Sequence, residues 1–188
     1  MSNHPFLDGK EIYLRPLLIS DINENYIGWL NDSKVCKYNS HHIFPYNQHQ
    51  AEEYLKAISL SKEVLVLAIV IKKSKKHIGN VSLQRIDLLN SNAEFAILLG
   101  DKNYWGKGIA KQASLLIMTH GFLALNLHRI YCGTAAGNIP MQKLAKYLGM
   151  HEEGRRKEAQ FKNGAYNDAL EYGILKGDFL KKHKIRGQ

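Results

Sequence analysis

The residues best suited to chemistry in this chain lie in the run Tyr104-Trp105-Gly106-Lys107-Gly108-Ile109-Ala110. It follows an apolar, strand-like segment, Ala93 to Leu99, and opens a helix-like segment from Ile109 to about Asn126. A strand, a tight loop with two glycines and a lysine, and a helix start together form a seat for a pyrophosphate. Glycines let the backbone approach the phosphates, and the orphan N–H groups of the first helical turn donate to phosphate oxygens. The helix dipole favours the negative charge. Ala110 is small enough to leave that approach open. The run therefore predicts a site for a phosphorylated cofactor.

Spacing decides against the commonest cofactors. A Walker A loop needs G-x-x-x-x-G-K-[ST], and the chain has no such run. A dinucleotide fingerprint needs G-x-G-x-x-G; Gly106 and Gly108 fit, but Lys111 stands where the last glycine belongs. That fingerprint also places an acid at the end of the following strand. Here the segment Leu127-His128-Arg129-Ile130-Tyr131-Cys132 carries none.

The loop Trp105-Gly106-Lys107-Gly108-Ile109-Ala110 resembles the acetyl-CoA loop of the Gcn5-related N-acetyltransferase (GNAT) superfamily, [QR]-x-x-G-x-[GA], with Trp105 in place of the first Gln or Arg. The form W-G-K-G-x-A is similar to that of the branch containing the RimJ/RimL ribosomal-protein N-terminal acetyltransferases. Glu11-Ile12-Tyr13-Leu14-Arg15-Pro16-Leu17 and Ile27-Gly28-Trp29-Leu30-Asn31-Asp32 resemble the opening strand and first helix of that branch. Asn138-Ile139-Pro140-Met141 through Leu148-Gly149-Met150 resembles its N-x-x-[SA] to G-[FM] segment. Each piece is weak by itself; four in the right order are strong. The resemblance implies an acetyl-CoA-dependent N-acetyltransferase that works by direct attack in a ternary complex, without a metal.

Roles follow residue by residue. Trp105, Gly106, Lys107, Gly108, Ile109 and Ala110 would hold the pyrophosphate. The resemblance implies a splay between strands that admits the pantetheine arm, here at Ile97, Leu98 and Leu99, through backbone N–H groups. Asn138 falls where the family hydrogen-bonds the same arm, and is equally a good helix cap. Glu94 is the one acid in the strand before the loop. It is the candidate general base, with pairing to a neighbouring Lys or Arg as the structural alternative. Asp32 is a second acid that could face the acceptor. Family members that use a tyrosine acid carry it four residues before the Gly-Phe pair. That position is Ala145 here, which leaves water or the new ammonium to protonate the thiolate, with Tyr147 and Tyr166 as weak candidates. Asp168 resembles a recurrent Asp of the branch, and His120 reads as a core histidine on the main helix.

The acceptor would be met by the loop holding Tyr38, His41, His42 and Tyr46 and by the closing hairpin. Successive histidines rarely converge on one ion, so no metal site is expected. The acceptor itself is a protein N-terminus or a small-molecule amine such as an amino sugar.

Composition bounds the rest. A chain of 188 residues, 45% hydrophobic, supports one core, so 1–188 reads as a single domain with a basic tail, Lys181-Lys182-His183-Lys184-Ile185-Arg186. No apolar run has the length of a membrane span, and the start Met1-Ser2-Asn3-His4-Pro5 lacks a signal-peptide core, so a cytoplasmic protein is expected. Cys36 and Cys132 read as two buried, reduced thiols. The net charge of +9 favours anionic partners: CoA, a nucleotide-linked substrate, RNA or the ribosome. Nucleic acid would enter only indirectly, through a ribosomal substrate. The competing reading is a non-catalytic nucleotide- or RNA-binding module; the oligomeric state, a homodimer included, stays open.

The elements that must position these residues alternate. Lys10 to Arg15 reads as a strand, and Ser20 as the cap of a helix from Asp21 to about Asn31. A helix from Asn47 to about Ser61 precedes Val64 to Ile71, a β-branched run expected to be buried on both faces. Strands at His77–Asp87 and Ala93–Leu99 follow, then the loop and main helix. A strand at Arg129–Ala135, a helix at Pro140–Leu148 and a hairpin turning on Asn163-Gly164 close the chain. The expected fold is α/β: a single mixed, mostly antiparallel twisted sheet with helices on both faces.

Overall fold

The computed structural model describes residues 4–185. Its first half runs β1 (Leu7–Asp8), β2 (Ile12–Pro16), α1 (Glu24–Leu30), α2 (Gln48–Leu60), β3 (Leu65–Ile71), β4 (His77–Asp87) and β5 (Asn92–Leu99). Its second half runs α3 (Ile109–Leu123), β6 (Arg129–Ala135), α4 (Ile139–Leu148), β7 (His151–Lys162), β8 (Ala165–Leu175) and α5 (Lys176–His183). Met1, Ser2 and Asn3 at the start, and Arg186 of the basic tail, lie outside the described residues.

Side-chain alternation builds the layers. Successive strand residues point to opposite faces. Ile12, Leu14, Leu67 and Ile69 therefore pack on one side with Ile117, Phe122, Leu148 and Phe179 of α3, α4 and α5. Tyr13, Ala68 and Val70 pack on the other with Tyr26, Leu30 and Ala51 of α1 and α2. Both faces of β3 are covered, as its β-branched run requires.

The eight strands form one sheet in the order β1-β2-β3-β4-β5-β6-β8-β7. Every neighbouring pair is antiparallel except β5 and β6. Those two strands pair only at Asn92–Arg129, Ala93–Ile130 and Glu94–Tyr131, then part. Beyond that point β5 stays bonded to β4 as far as Leu99 opposite Gly79, and β6 to β8 as far as Ala135 opposite Ala169. The sheet thus opens in its middle.

Two local readings need correction. Asn23, not Ser20, caps α1, its side-chain oxygen accepting from Asn25 and Tyr26 N–H. Asp21 does not start that helix, because Arg15 claims it with paired hydrogen bonds of 2.6 and 2.7 Å. The main helix stops at Leu123, since Asn126 turns at positive φ (52°) to bring the chain back into β6. The basic tail ends α5, with Lys181, Lys182 and Lys184 exposed, and the helix is anchored just before it by Phe179, which is fully buried 5.0 Å from the Phe122 ring. The turn at Asn163-Gly164 forms as expected, both residues at positive φ and Lys162 paired with Ala165.

Candidate functional site

Where β5 and β6 part, a cleft of about 1090 Å³ runs through the sheet. Glu94 stands at the apex, at the last paired position. Backbone groups of β5 beyond Glu94 have no β6 partner. A half-buried strand edge left open in this way is a template for a ligand with amide groups of its own. Ile97, Leu98 and Asn138 line the cleft with Glu94. Leu99 does not line it, and its carbonyl is taken by the Trp105 indole N–H at 2.8 Å.

The floor comes from β4. Asn80, Ser82 and Gln84 alternate with buried Val81 and Leu83, so one face of an interior strand is polar. Register sets Gln84 opposite Glu94, Ser82 opposite Ala96 and Asn80 opposite Leu98. Cross-strand partners share a face. Glu94 therefore looks toward the α1 and α2 side, where Tyr26, Tyr38, Tyr46 and Tyr54 complete the wall. Strict period-two polarity in a central strand was the signal in the sequence that could have found this floor.

Glu94 has both of its anticipated surroundings at once. It lines the cleft, and it pairs with Arg85 at 3.1 Å. Arg85 sits at a β-bulge between Gln84 and Asp87 with φ 49°, which aims its side chain along the sheet rather than away from it. The Arg85 side chain is 77% exposed and that of Glu94 26%, so the pair is open to solvent and exchangeable.

The glycine loop is built for backbone approach. Gly106 and Gly108 have φ of 73° and 78°, the left-handed region, and no atom lies within 4 Å of where a side chain would stand on either. Gly108 caps α3 without a side chain, so the first N–H groups of that helix face the open loop. Ile109 anchors the turn in the core. Trp105, where the family has Gln or Arg, ties the loop to the end of β5 through its bond to Leu99. Asp101 braces the turn before it, accepting from Asn103 N–H at 3.0 Å and pairing with Lys76 at 2.7 Å. Burial opposes the charge of Asp101, but Lys76 and that N–H outweigh it and hold its pKa below the usual range. Lys107 is exposed, its ammonium 5.7 Å from the Tyr104 ring.

Asn138 caps α4 by accepting from Met141 N–H at 3.3 Å and donates to Thr134 Oγ1 at 3.0 Å. It keeps one amide proton and one lone pair for the cleft. Tyr38, in the loop between α1 and α2, lies against Gly137 just before it, so tightly that a Cβ there would sit 3.3 Å from the ring.

Other candidates fall away from the cleft. Asp32 binds Lys102 and the N–H groups of Lys34 and Val35, which pull its pKa down to about 2 and make it a turn-forming residue. Tyr147 lies under the Lys111 ammonium at 4.4 Å, and Tyr166 packs on Phe161 with ring centres 5.0 Å apart. Neither tyrosine lines the cleft. Ala145 is fully buried. Asp168 accepts from Arg155 Nε at 2.6 Å and Glu158 N–H at 2.8 Å, holding the β7 bulge. His120 is only half-buried, edge-on to Phe6 at 5.0 Å. His41 lines the cleft, but among the described residues no group of three or more His, Cys, Asp or Glu could hold a metal ion. Both cysteines are buried and free. No described helix is long and apolar enough to cross a membrane.

Residues 11–151 match the acetyltransferase (GNAT) domain family. The chain is 30% identical over 178 residues to the spermidine N(1)-acetyltransferase of Escherichia coli strain K12, covering 94% of this chain and 92% of that one. Its fold superposes on the spermidine N-acetyltransferase of Vibrio cholerae, solved with CoA and spermine. That superposition has a TM-score of 0.83 and 27% identity over 90% of this chain and 98% of the other. The fold is also that of RimL, a ribosomal L7/L12 α-N-protein acetyltransferase, with a TM-score of 0.80 at 19% identity, over 89% and 95% of the two chains. By its family match, its relatives and its split mixed sheet, the chain belongs to the Gcn5-related N-acetyltransferases and is an N-acetyltransferase.

Proposed function

We propose that this enzyme moves an acetyl group from acetyl-CoA to a primary amine held in the acceptor half of the cleft. The observation that carries the reading is the parting of β5 and β6 directly after Glu94 and Tyr131, which puts a carboxylate at the apex of an open strand edge. Acetyl-CoA supplies an activated acyl carbon. Trp105, Gly106, Lys107, Gly108, Ile109 and Ala110 would hold its pyrophosphate through backbone N–H groups and the Lys107 charge. The free edge of β5 at Ile97 and Leu98, with Asn138 across the gap, would hold the pantetheine arm.

Glu94 accepts the proton that an ammonium must lose before it can attack, directly or through one water. Backbone N–H groups on the open edge of β5 stabilise charge as it grows on the thioester oxygen. With Ala145 in the place of the family's tyrosine, and with Tyr147 and Tyr166 outside the cleft, the departing thiolate takes its proton from the new ammonium or from water. The acceptor is a protein N-terminus or a small-molecule amine such as an amino sugar.

A calorimetric titration with acetyl-CoA, against NADH and ATP as controls, tests the cofactor half of this reading. Selective binding near one equivalent is expected. Thiol release on a panel of amines tests the other half; release from none of them, or equal affinity for NADH, would sink the proposal.

A further inference from the structure

The charged lining of the cleft is lopsided. Among the described residues it holds Lys37, Arg85 and Lys162 against the single carboxylate of Glu94, which Arg85 already neutralises. The basic groups come from three separate elements. Arg85 is thrown over the sheet face by the β4 bulge. Lys162 flanks the hairpin turn and donates to the His41 carbonyl. Lys37 belongs to the loop after α1, its ammonium 5.0 Å from the Tyr38 ring.

Arg85 stands well away from the seat of the cofactor's own phosphates. Glu94, its partner, precedes the end of β5 at Leu99 by five residues, about 17 Å of strand at ~3.3 Å per residue. It therefore serves whatever enters from the acceptor side. That side also offers flat rings: Tyr38, Tyr46, Tyr54 and Phe161 line it, and Phe161 is 60% exposed. Aromatic faces beside Arg and Lys suit a sugar or base that carries phosphate. They oppose a polycation, whose charges would meet Lys37, Lys162 and a carboxylate already paired with Arg85.

We propose that the acceptor is a small primary amine bearing a phosphate or diphosphate, of the nucleotide-linked amino-sugar kind, and that Arg85 and Lys162 select it by its anionic group. The proposal rests on the acetyl-transfer reading above and narrows it. It also separates this chain from the spermidine acetyltransferases that share its fold.

The test is acetyl-CoA-dependent thiol release by the full chain with a nucleoside-diphosphate-linked amino sugar, the same amino sugar free, an acidic peptide and spermidine. The linked sugar is expected to exceed the free one at least about tenfold in kcat/KM, with the peptide and spermidine below both. Arg85→Gln and Lys162→Gln should each shrink the linked-to-free ratio several-fold, chiefly through KM for the acceptor, while acetyl-CoA affinity measured by calorimetry holds. Spermidine or the peptide as the best acceptor, a ratio near one, or a ratio unmoved by both substitutions would overturn it. A chain that binds acetyl-CoA yet prefers spermidine loses this inference alone; a chain that does not bind acetyl-CoA loses the acetyl-transfer reading with it.

Discussion

The Arg85 guanidinium lies 3.1 Å from the Glu94 carboxylate, at the point where β5 and β6 cease to pair. As the proposed base, Glu94 is held in place by a partner that solvent or substrate can displace. Replacing Glu94 with Gln keeps the shape and removes the proton acceptor. Turnover should fall about 10²–10⁴-fold, the usual worth of a general base, with acetyl-CoA affinity little changed. Steady-state kinetics beside calorimetry separate the two quantities, and undiminished kcat would remove Glu94 from the mechanism.

Trp105 joins the glycine loop to β5 by one hydrogen bond, 2.8 Å to the Leu99 carbonyl, while its ring is 42% exposed. Trp105→Phe deletes that bond and little packing. A net hydrogen bond is worth about 0.5–1.5 kcal/mol, so acetyl-CoA should bind roughly two- to tenfold more weakly. The thermal midpoint should stay near that of the parent. A large drop in the midpoint with unchanged affinity would mean that the indole supports the fold rather than the loop.

Gly108 combines a left-handed φ of 78° with empty space where a side chain would go. Gly108→Val meets nothing inside the protein, so its effects are backbone strain, about 1–2 kcal/mol, and obstruction of the phosphates. Asn tolerates the left-handed region better than valine does. Gly108→Asn thus keeps the obstruction with less strain, and both variants should weaken acetyl-CoA by at least about tenfold. Parent-like affinity in Gly108→Asn would show that strain, not approach to phosphate, is why glycine stands there.

Asp21 and Arg15 form a buried pair with side chains about 6% and 5% exposed, and Leu18 N–H adds a third hydrogen bond to the carboxylate at 2.8 Å. Burial opposes ionisation of Asp21. The Arg15 hydrogen bonds, nearby His77 and the Leu18 N–H outweigh it, and the pKa lies below its ordinary value. A depressed carboxylate pKa stabilises the fold above the unfolded pKa, about 3.9. That stability is lost as pH falls through the folded value. Asp21→Asn leaves Arg15 buried without its counter-charge and should cost about 3–5 kcal/mol at neutral pH. Urea unfolding of both proteins from pH 7 to pH 3 checks this; the gap should narrow only toward the acid end. A gap of similar size at pH 3 would mean packing rather than charge is responsible.

Much of this protein was legible in its residues. The β-branched run of β3 and the Asn163-Gly164 turn specify a strand and a hairpin locally, because β propensity and turn chemistry act over a few residues. The glycine loop was legible for the same reason: left-handed φ and helix-terminal N–H groups depend on neighbours in sequence. Glu94 stood out as one acid in an apolar strand.

Tertiary structure decided everything that depends on register and on distant partners. Asp21 reads as a helix start until Arg15, across the entry loop, takes it. Asp32 reads as a second acid that could face the acceptor until Lys102 pairs with it, and the partner of Asp168, Arg155, is visible only in the folded hairpin. Lys37, Arg85 and Lys162 read as three scattered surface charges, since nothing short-range brings a bulge, a hairpin and a loop to one cleft. That convergence is set by the parallel pairing of β5 with β6 over three residue pairs and its end at Glu94. Strand pairing between residues 37 apart in sequence is a product of the packed sheet.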